Sequence, residues 1–293
     1  MSSCPTKEHL HAVEGLDRRT LCNEAVVSPD ALPDTIQGTV TPDVSPAIEI
    51  RELRKVYGDK AAVDGLNLAV PRGCFFGFLG PNGAGKTTTI RMLMGLAPAT
   101  SGSISLLGLR MPEDGVAIKG RIGLVPDDTL LFDHLSGPEF VRFVGRMYGL
   151  EMETVTQRTR ELIQLFELDS AGRKLIADYS KGMRKRVAMA AALIHKPDLF
   201  LLDEPFEGVD AVGARLMKEI LTEQARRGAT IFLTSHVLEV VERLCERFAI
   251  INQGRMVVEG TLDELRSGTE TLEDLFVRAV GAEARTNETL GWL

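Results

Sequence analysis

The segment GPNGAGKT, residues 80–87, constrains this chain more than any other feature. It follows the apolar run CFFGFLG and precedes TTTIRMLMGL, in which Ile90, Leu93 and Met94 recur with helical spacing. The glycines allow successive backbone N–H groups to turn toward an anion, and the following helix presents the positive end of its dipole. The pattern therefore predicts a phosphate-binding loop between a buried strand and a helix.

We predict that this loop binds a nucleotide. Lys86 should reach the β and γ phosphates, and the Thr87 hydroxyl should help to hold Mg²⁺. A glycine-rich turn that matches by chance is the alternative, and the strand and helix on either side argue against it. The predicted nucleotide-binding residues of the loop are Gly80, Pro81, Asn82, Gly83, Ala84, Gly85, Lys86, Thr87 and Thr88.

A second apolar run, LFLLDEP at residues 199–205, ends in two adjacent acids. Successive side chains at the end of a strand point in different directions, so one acid can face the metal of a neighbouring phosphate loop while the next faces an attacking water. We predict that Asp203 is the metal carboxylate and Glu204 the general base. Ordinary solvated acids at a strand end are the alternative.

The rest of the chain predicts an α/β fold with a mostly parallel sheet. Strands are expected at AIEIRELRKVY, LNLAVPRG, SISLLG, RIGLV, TIFLT, RFAIIN and GRMVVEG, besides the two apolar runs above. Residues 127–196 have helical periodicity and are expected to form an inserted helical subdomain. Residues 1–46 contain no aromatic residue and five of the 13 prolines. We expect a disordered tail there, dispensable for catalysis, and a second tail at 282–293.

Composition excludes several function classes. The net charge of −7 argues against a dedicated nucleic-acid binder. The four cysteines are far apart and form no Cys-x-x-Cys pair, which favours a reducing compartment over a disulfide framework or zinc site. The sequence has neither the ~18 to 20 consecutive apolar residues that a membrane span needs nor a secretory leader. A membrane function would therefore need another chain.

A further motif makes a family resemblance specific. YSKGM, residues 179–183, precedes the acid-bearing strand, and from Ala47 to Gly281 the chain resembles the nucleotide-binding domains of ABC transporters. The family has LSGGQ at this place: Ser180 and Gly182 match, whereas Tyr179, Lys181 and Met183 depart and look like the variant of ABC-2 type exporters. The resemblance implies a P-loop NTPase core with an antiparallel β subdomain, an inserted helical subdomain, and ATP and Mg²⁺ as cofactors.

The resemblance also implies roles across a dimer of two copies or of homologous subunits. The signature residues Ser180, Lys181, Gly182 and Met183 would meet the γ phosphate bound to the opposite subunit, because a hydroxyl and a bare backbone can approach an anion closely. A plain helix cap is the alternative for Ser180. EGVD lies where the family has SGLD, so Asp210 would contact the other subunit, and Glu207 departs from the family's serine.

Three further residues take roles from the resemblance. His236, in TSH, matches the switch histidine that senses γ phosphate and counts with Glu204 and Lys86 as catalytic; alone it would read as a structural cap. Tyr57 lies where the family stacks an aromatic ring on adenine, or is a plain strand-end tyrosine. Asp127 lies where the family usually has Gln, and this subgroup often Glu, and could reach Mg²⁺ or its water.

The implied function is the ATP-hydrolysing subunit of an ABC-2 type exporter, cytoplasmic and held on the inner face of the cell membrane by a polytopic permease. The permease is expected to dock near the Asp127 loop at Leu130, Leu131 and Phe132, although these side chains could pack on their own subdomain. An ABC ATPase acting on nucleic acid or ribosomes is a second reading, disfavoured by the single ATPase domain and the acidic balance. A third is a regulator without turnover, disfavoured by the presence of Glu204 and His236.

Overall fold

The computed structural model describes residues 45–128, 131–266 and 270–281. The strands are β1 Ile48–Tyr57, β2 Lys60–Val70, β3 Phe75–Leu79, β4 Ser101–Leu106, β5 Leu109–Met111, β6 Ile122–Val125, β7 Leu199–Asp203, β8 Thr230–Ser235, β9 Arg247–Asn252 and β10 Arg255–Gly260. The helices are α1 Lys86–Leu93, α2 Gly115–Lys119, α3 Gly137–Met147, α4 Met152–Leu165, α5 Lys181–Leu193, α6 Ala211–Arg226, α7 Leu238–Leu244, α8 Leu262–Leu265 and α9 Leu272–Val280, with short 3₁₀ turns at Asp169–Ala171 and Ile176–Asp178.

Four strands form an antiparallel sheet in the order β2-β1-β4-β5. In β1, the buried residues Ile48, Ile50 and Leu53 face the core, while Glu49 is half-buried and Arg51 and Glu52 are exposed. Two features differ from the sequence-based expectation. β2 begins at Lys60, before the predicted LNLAV segment, and this start was not predicted because its first residues have low strand propensity. The strand β5 was not predicted because three residues are too few to show a pattern.

The second sheet has six strands in the order β10-β9-β3-β8-β7-β6. Its pairs are parallel except that β10 runs antiparallel to β9. The central strands β3, β7 and β8 are buried on both faces, which explains their continuous apolar sequences. Register pairs Leu79 with Ser235 and Asp203 with Thr234, so the segments that follow all three strands emerge at one edge of the sheet.

The helices α3, α4 and α5 form an insert between β6 and β7, as predicted. Helix α3 begins with a capping box in which Ser136 and Glu139 satisfy each other's backbone N–H groups. Helix α5 buries Val187 to Leu193 almost completely, and one continuous apolar core joins the insert to one face of the six-stranded sheet. A second core joins the other face to the antiparallel sheet, so the predicted α/β fold class is confirmed.

None of the helices in the described ranges is long and apolar enough to cross a membrane. Cys74 and Cys245 are free thiols, and burial raises the pKa of Cys74 to about 11. Cys4, Cys22, Leu130 and the two predicted tails, except the short stretch from Ser45 to Pro46, lie outside the described residues.

Candidate active site

The phosphate loop connects β3 to α1 through positions that admit only glycine. A Cβ atom at Gly80 would lie 2.3 Å from the Ile251 carbonyl oxygen, and one at Gly85 would lie 2.5 Å from that of Ala62. Gly85 also has a φ of 114°, which side chains disfavour. The backbone of the loop is therefore packed closely between β2 and β9.

Lys86, the first residue of α1, is buried beside this loop. Its Nζ donates hydrogen bonds to the carbonyl oxygens of Gly80 at 2.7 Å and Pro81 at 3.4 Å, and lies 3.8 Å from Oε1 of Glu204. The ammonium thus lies between the phosphate loop and the acid that follows β7. The geometry brings together two residues that are far apart in the sequence.

The two acids after β7 are held differently. Asp203 is only 2 % exposed and accepts a 2.5 Å hydrogen bond from the Thr234 hydroxyl through Oδ1. The same hydroxyl accepts a 3.1 Å hydrogen bond from the backbone N–H of Glu204. Thr234 is fully buried on β8, so it fixes the Asp203 carboxylate and the backbone at Glu204. Sequence reasoning missed this role, because a threonine inside an apolar strand reads as a simple strand former.

Glu204 also contacts the predicted switch histidine. Nδ1 of His236 lies 3.0 Å from Oε2 of Glu204, and the His236 backbone N–H donates to the same oxygen at 3.3 Å. Glu204 has a φ of 47°, an uncommon backbone conformation for a residue with a side chain. The turn after β7 thus points its carboxylate between Lys86 and His236, and the three predicted catalytic residues form one cluster.

A cavity of about 710 Å³ opens in front of this cluster. It is large enough for a nucleotide. Tyr57, at the end of β1, lines its rim with 51 % of its surface exposed, and Lys55 Nζ lies 4.8 Å from the ring centroid. Sequence reasoning missed Lys60, Ala62 and Glu207 as lining residues. The predicted residues that line it are Tyr57, Pro81, Asn82, Gly83, Ala84, Gly85, Lys86, Thr87, Thr88, Asp127, Glu204 and His236.

The residues proposed for Mg²⁺ line a second cavity, of about 430 Å³, which shares Thr87 and Asp127 with the first. Thr87, Asp127 and Asp203 line it together, which places one hydroxyl and two carboxylates close to the phosphate loop. Mg²⁺ typically takes one or two protein carboxylates and completes its shell with phosphate and water oxygens. The donor set fits Mg²⁺ bound together with a nucleotide. In the described parts of the chain, no group of three or more His, Cys, Asp or Glu side chains could hold a metal ion.

The signature residues lie at the start of α5. Ser180 caps the helix, with its hydroxyl accepting a hydrogen bond from the Met183 N–H at 3.2 Å. A Cβ atom at Gly182 would come within 2.9 Å of the Gly208 carbonyl oxygen. Ser180 and Gly182 are therefore each required by the local structure of their own chain, as a helix cap and as a point of close approach. None of the four signature residues is among the described residues that line the 710 Å³ cavity.

Two ion pairs tie α5 to the loop before α6. Lys181 Nζ lies 2.7 Å from Oε1 of Glu207, so two departures from the family pattern neutralise each other. The hydrogen bond from Lys181 lowers the pKa of Glu207, and the same bond raises the pKa of Lys181. Asp210 caps α6 by accepting from the Gly213 N–H, which lowers the pKa of its carboxyl, and also pairs with Arg186 at 2.6 Å. Asp210 is thus bonded within its own chain.

The residues expected to contact a permease are divided. Leu131 packs against the core of the helical insert. Phe132 is exposed, with its ring 5.8 Å from that of Phe140 in an edge-to-face arrangement and 5.2 Å from that of Phe143. Phe132 and Phe143 thus form an exposed apolar surface on the insert, backed by the buried Phe140.

Comparison with known proteins decides the family. A family model described as ABC transporter matches residues 63–207. The Nod factor export ATP-binding protein I of Cupriavidus metallidurans is 41 % identical over 218 residues, which are 74 % of this chain and 72 % of that protein. The chain belongs to the ABC transporter family. Its resemblance to this family's nucleotide-binding domains is thereby confirmed.

Other ABC transporter proteins support the assignment. The linearmycin resistance ATP-binding protein LnrL of Bacillus subtilis is 37 % identical over 235 residues, covering 80 % of this chain and 76 % of that protein. A solved ATP-binding subunit of an ABC transporter is 31 % identical with a TM-score of 0.75, covering 80 % of this chain and 99 % of that one. ATP as cofactor and the ATPase assignment follow from the family. The roles of individual residues stay predictions.

Proposed function

We propose that this chain is the ATP-hydrolysing subunit of an ABC-2 type exporter, which couples ATP-driven dimerisation and hydrolysis to substrate movement through a separate membrane permease. The observation that carries the proposal is the cluster of Lys86, Glu204 and His236 facing the phosphate loop. A subunit that only bound ATP would have no need for an acid held in this position. The relatives named above act in Nod factor export and in linearmycin resistance, which supports an export role.

The geometry supports a direct displacement by water at the γ phosphate. Mg²⁺, when bound, would neutralise charge on the phosphates, with Thr87 and Asp203 as its protein ligands and Asp127 reaching it directly or through water. Lys86 would bind the β and γ phosphates. Glu204 would accept the proton of the attacking water, and His236 would orient Glu204 and contact the γ phosphate.

Completion of the site requires a second subunit, either another copy or a homologue. The signature residues at the start of α5 do not line the cavity of their own chain. They would therefore serve the nucleotide of the opposite one in a head-to-tail dimer. Ser180 offers a hydroxyl and Gly182 a bare backbone for the γ phosphate. ATP would then hold the two subunits together, and hydrolysis would remove the γ phosphate that both subunits contact.

The permease would place this chain on the cytoplasmic face of the membrane. A groove of about 430 Å³ between the end of α1 and the helical insert is lined by Leu96, Leu124, Leu131 and Val144, with Phe132 exposed nearby. The same cavity is also lined by Asp127 and Asp203, the acids proposed for Mg²⁺, and its apolar wall suits a helix of a membrane partner. Cross-linking from a cysteine at position 132 should capture the membrane subunit, and capture only from distant surfaces would contradict this docking site.

The decisive test separates ATP binding from hydrolysis. Glu204→Gln keeps the shape of the side chain but removes the base, so hydrolysis should fall by orders of magnitude while ATP binding persists. This variant should accumulate as an ATP-bound dimer, whereas Lys86→Ala should remain monomeric because its phosphate contact is lost. Light scattering after size-exclusion chromatography with Mg-ATP measures the oligomeric state of both variants. A Glu204→Gln variant that hydrolyses ATP at the wild-type rate and stays monomeric would refute the shared-site mechanism.

A further inference from the structure

Lys185 on α5 is the most deeply buried charged side chain near the site, with 1 % of its side chain exposed. Its Nζ donates to the carbonyl oxygen of Pro126 at 3.1 Å and to that of Asp203 at 3.4 Å, and lies 3.6 Å from Oδ1 of Asp127. These three acceptors come from only two places in the fold. They belong to the segments that leave β6 and β7 and carry the two acids proposed for Mg²⁺.

The burial of this ammonium requires an explanation. A buried lysine costs free energy unless its charge is paired and its donors are satisfied, and a hydrophobic residue of similar volume often serves stability equally well. A lysine is useful at this point if its charge organises its neighbours. The structure offers one neighbour in need of organisation: the side chain of Asp127 is 41 % exposed at the rim of the cavity.

We propose that Lys185 is a positioning residue that holds Asp127 at the Mg²⁺ edge of the site and so couples the helical insert to metal binding. The inference rests on the proposed function, because it assumes that Mg²⁺ binds with ATP beside Thr87 and Asp203. One carboxylate oxygen of Asp127 faces Lys185, which leaves the other available for the metal or its water. The α5 helix that carries Lys185 also carries the signature at its start, so a shift of α5 would move both.

Removal of the positioning charge should weaken Mg²⁺ without weakening the nucleotide. Lys185→Met keeps the length and volume of the side chain, so we expect the Mg²⁺ concentration for half-maximal effect to rise about tenfold. That is the lower end of the range for residues that support metal ligands, since Asp127 is partly solvated. Binding of ATP in EDTA should be unchanged. The readout is the rise in unfolding midpoint with ATP as Mg²⁺ is titrated, which needs no turnover.

Asp127→Asn provides the linked measurement. If Lys185 acts through Asp127, this variant should shift the Mg²⁺ midpoint by a similar factor, and Lys185→Met should add nothing in its background. Because Asp127 is at the surface of the site, the variant should fold even if Lys185→Met does not, and Lys185→Gln offers a smaller change at the buried position. Lys174→Met is the matched control: it removes an exposed lysine from the same insert and should leave the midpoint in place.

The outcomes separate the two proposals. An unshifted midpoint in Asp127→Asn, or shifts that add in the double variant, would overturn the positioning role while leaving the ATPase proposal intact. A wild-type protein whose stabilisation by ATP is indifferent to Mg²⁺ would overturn the Mg²⁺ site and this inference with it. A shift of the same size in Lys174→Met would show a general effect of charge and would also overturn the proposal.

Discussion

The two ends of the proposed catalytic apparatus are built in different ways. At the edge of the six-stranded sheet, Asp203 and Thr234 are buried, and each is bonded to a neighbouring strand or turn. At the start of α5 and in the loop before α6, Lys181 and Glu207 are exposed and are bonded chiefly to each other. The first region is determined by the interior of its own chain. The second lies at the surface, where water or a partner can replace its bonds.

This difference indicates that the two regions have different tasks. Groups that must hold a nucleotide and a reacting water benefit from fixed positions, because small displacements reduce the rate of a reaction steeply. Groups that must meet a second subunit have to be accessible, and exposed ion pairs are weak enough to exchange partners. Substitutions in the first region should therefore cost stability and activity together, and those in the second should cost little stability.

The largest effect is expected at Gly85. Gly85→Ala places a Cβ atom against the Ala62 carbonyl at a positive φ, so unfolding free energy should fall by about 3 kcal/mol or more and nucleotide binding should be lost. Gly83→Ala is the matched control, since its φ of 79° is also unfavourable but its Cβ meets no atom within 4 Å. It should cost about 1 to 2 kcal/mol. Urea unfolding and ATP titration compare the two, and equal losses would contradict the packing argument.

An intermediate effect is expected at Thr234. Thr234→Val removes the hydroxyl that joins Asp203 to the Glu204 backbone, which should cost about 1 to 3 kcal/mol and slow hydrolysis roughly 100-fold through misplaced acids. Thr230→Val, on the same strand, removes a comparable buried bond to the Gly73 N–H, far from the acids. It should cost similar stability but leave the hydrolysis rate near that of the wild type. An equal fall in the hydrolysis rates of Thr234→Val and Thr230→Val would show that the slower hydrolysis of Thr234→Val comes only from its lost stability.

The smallest effect is expected at the pair of Lys181 and Glu207. Because both side chains are exposed, a double-mutant cycle with Lys181→Met and Glu207→Gln should give a coupling of about 0.5 kcal/mol or less at neutral pH. The lowered pKa of Glu207 means that this coupling is lost as pH falls through that folded-state value, and the raised pKa of Lys181 means that it is lost at high pH. Denaturant unfolding across pH measures it. A coupling of several kcal/mol would contradict the comparison, because it would show that this exposed pair behaves like the buried contacts.

Much of the fold was predictable because its signals are local. The continuous apolar runs of β3, β7 and β8 identify central strands, and the helical periodicity of residues 127–196 identifies the insert. The β5 strand was missed because three residues carry no period, and the start of β2 was missed because its residues prefer no single structure. Both segments become strands because they pair with longer strands in the sheet.

The sequence by itself determined the family, and it predicted the phosphate loop, the acid pair and the switch histidine, because each rests on a short contiguous pattern whose chemistry is local. Only the tertiary structure decided which distant residues support them. The Lys181 contact with Glu207 spans 26 residues, the Thr234 contact with Asp203 spans 31, and the Lys185 contact with Pro126 spans 59. The physical reason is that a hydrogen bond or ion pair depends on distance in space, and the sheet register and the packing of α5 set that distance.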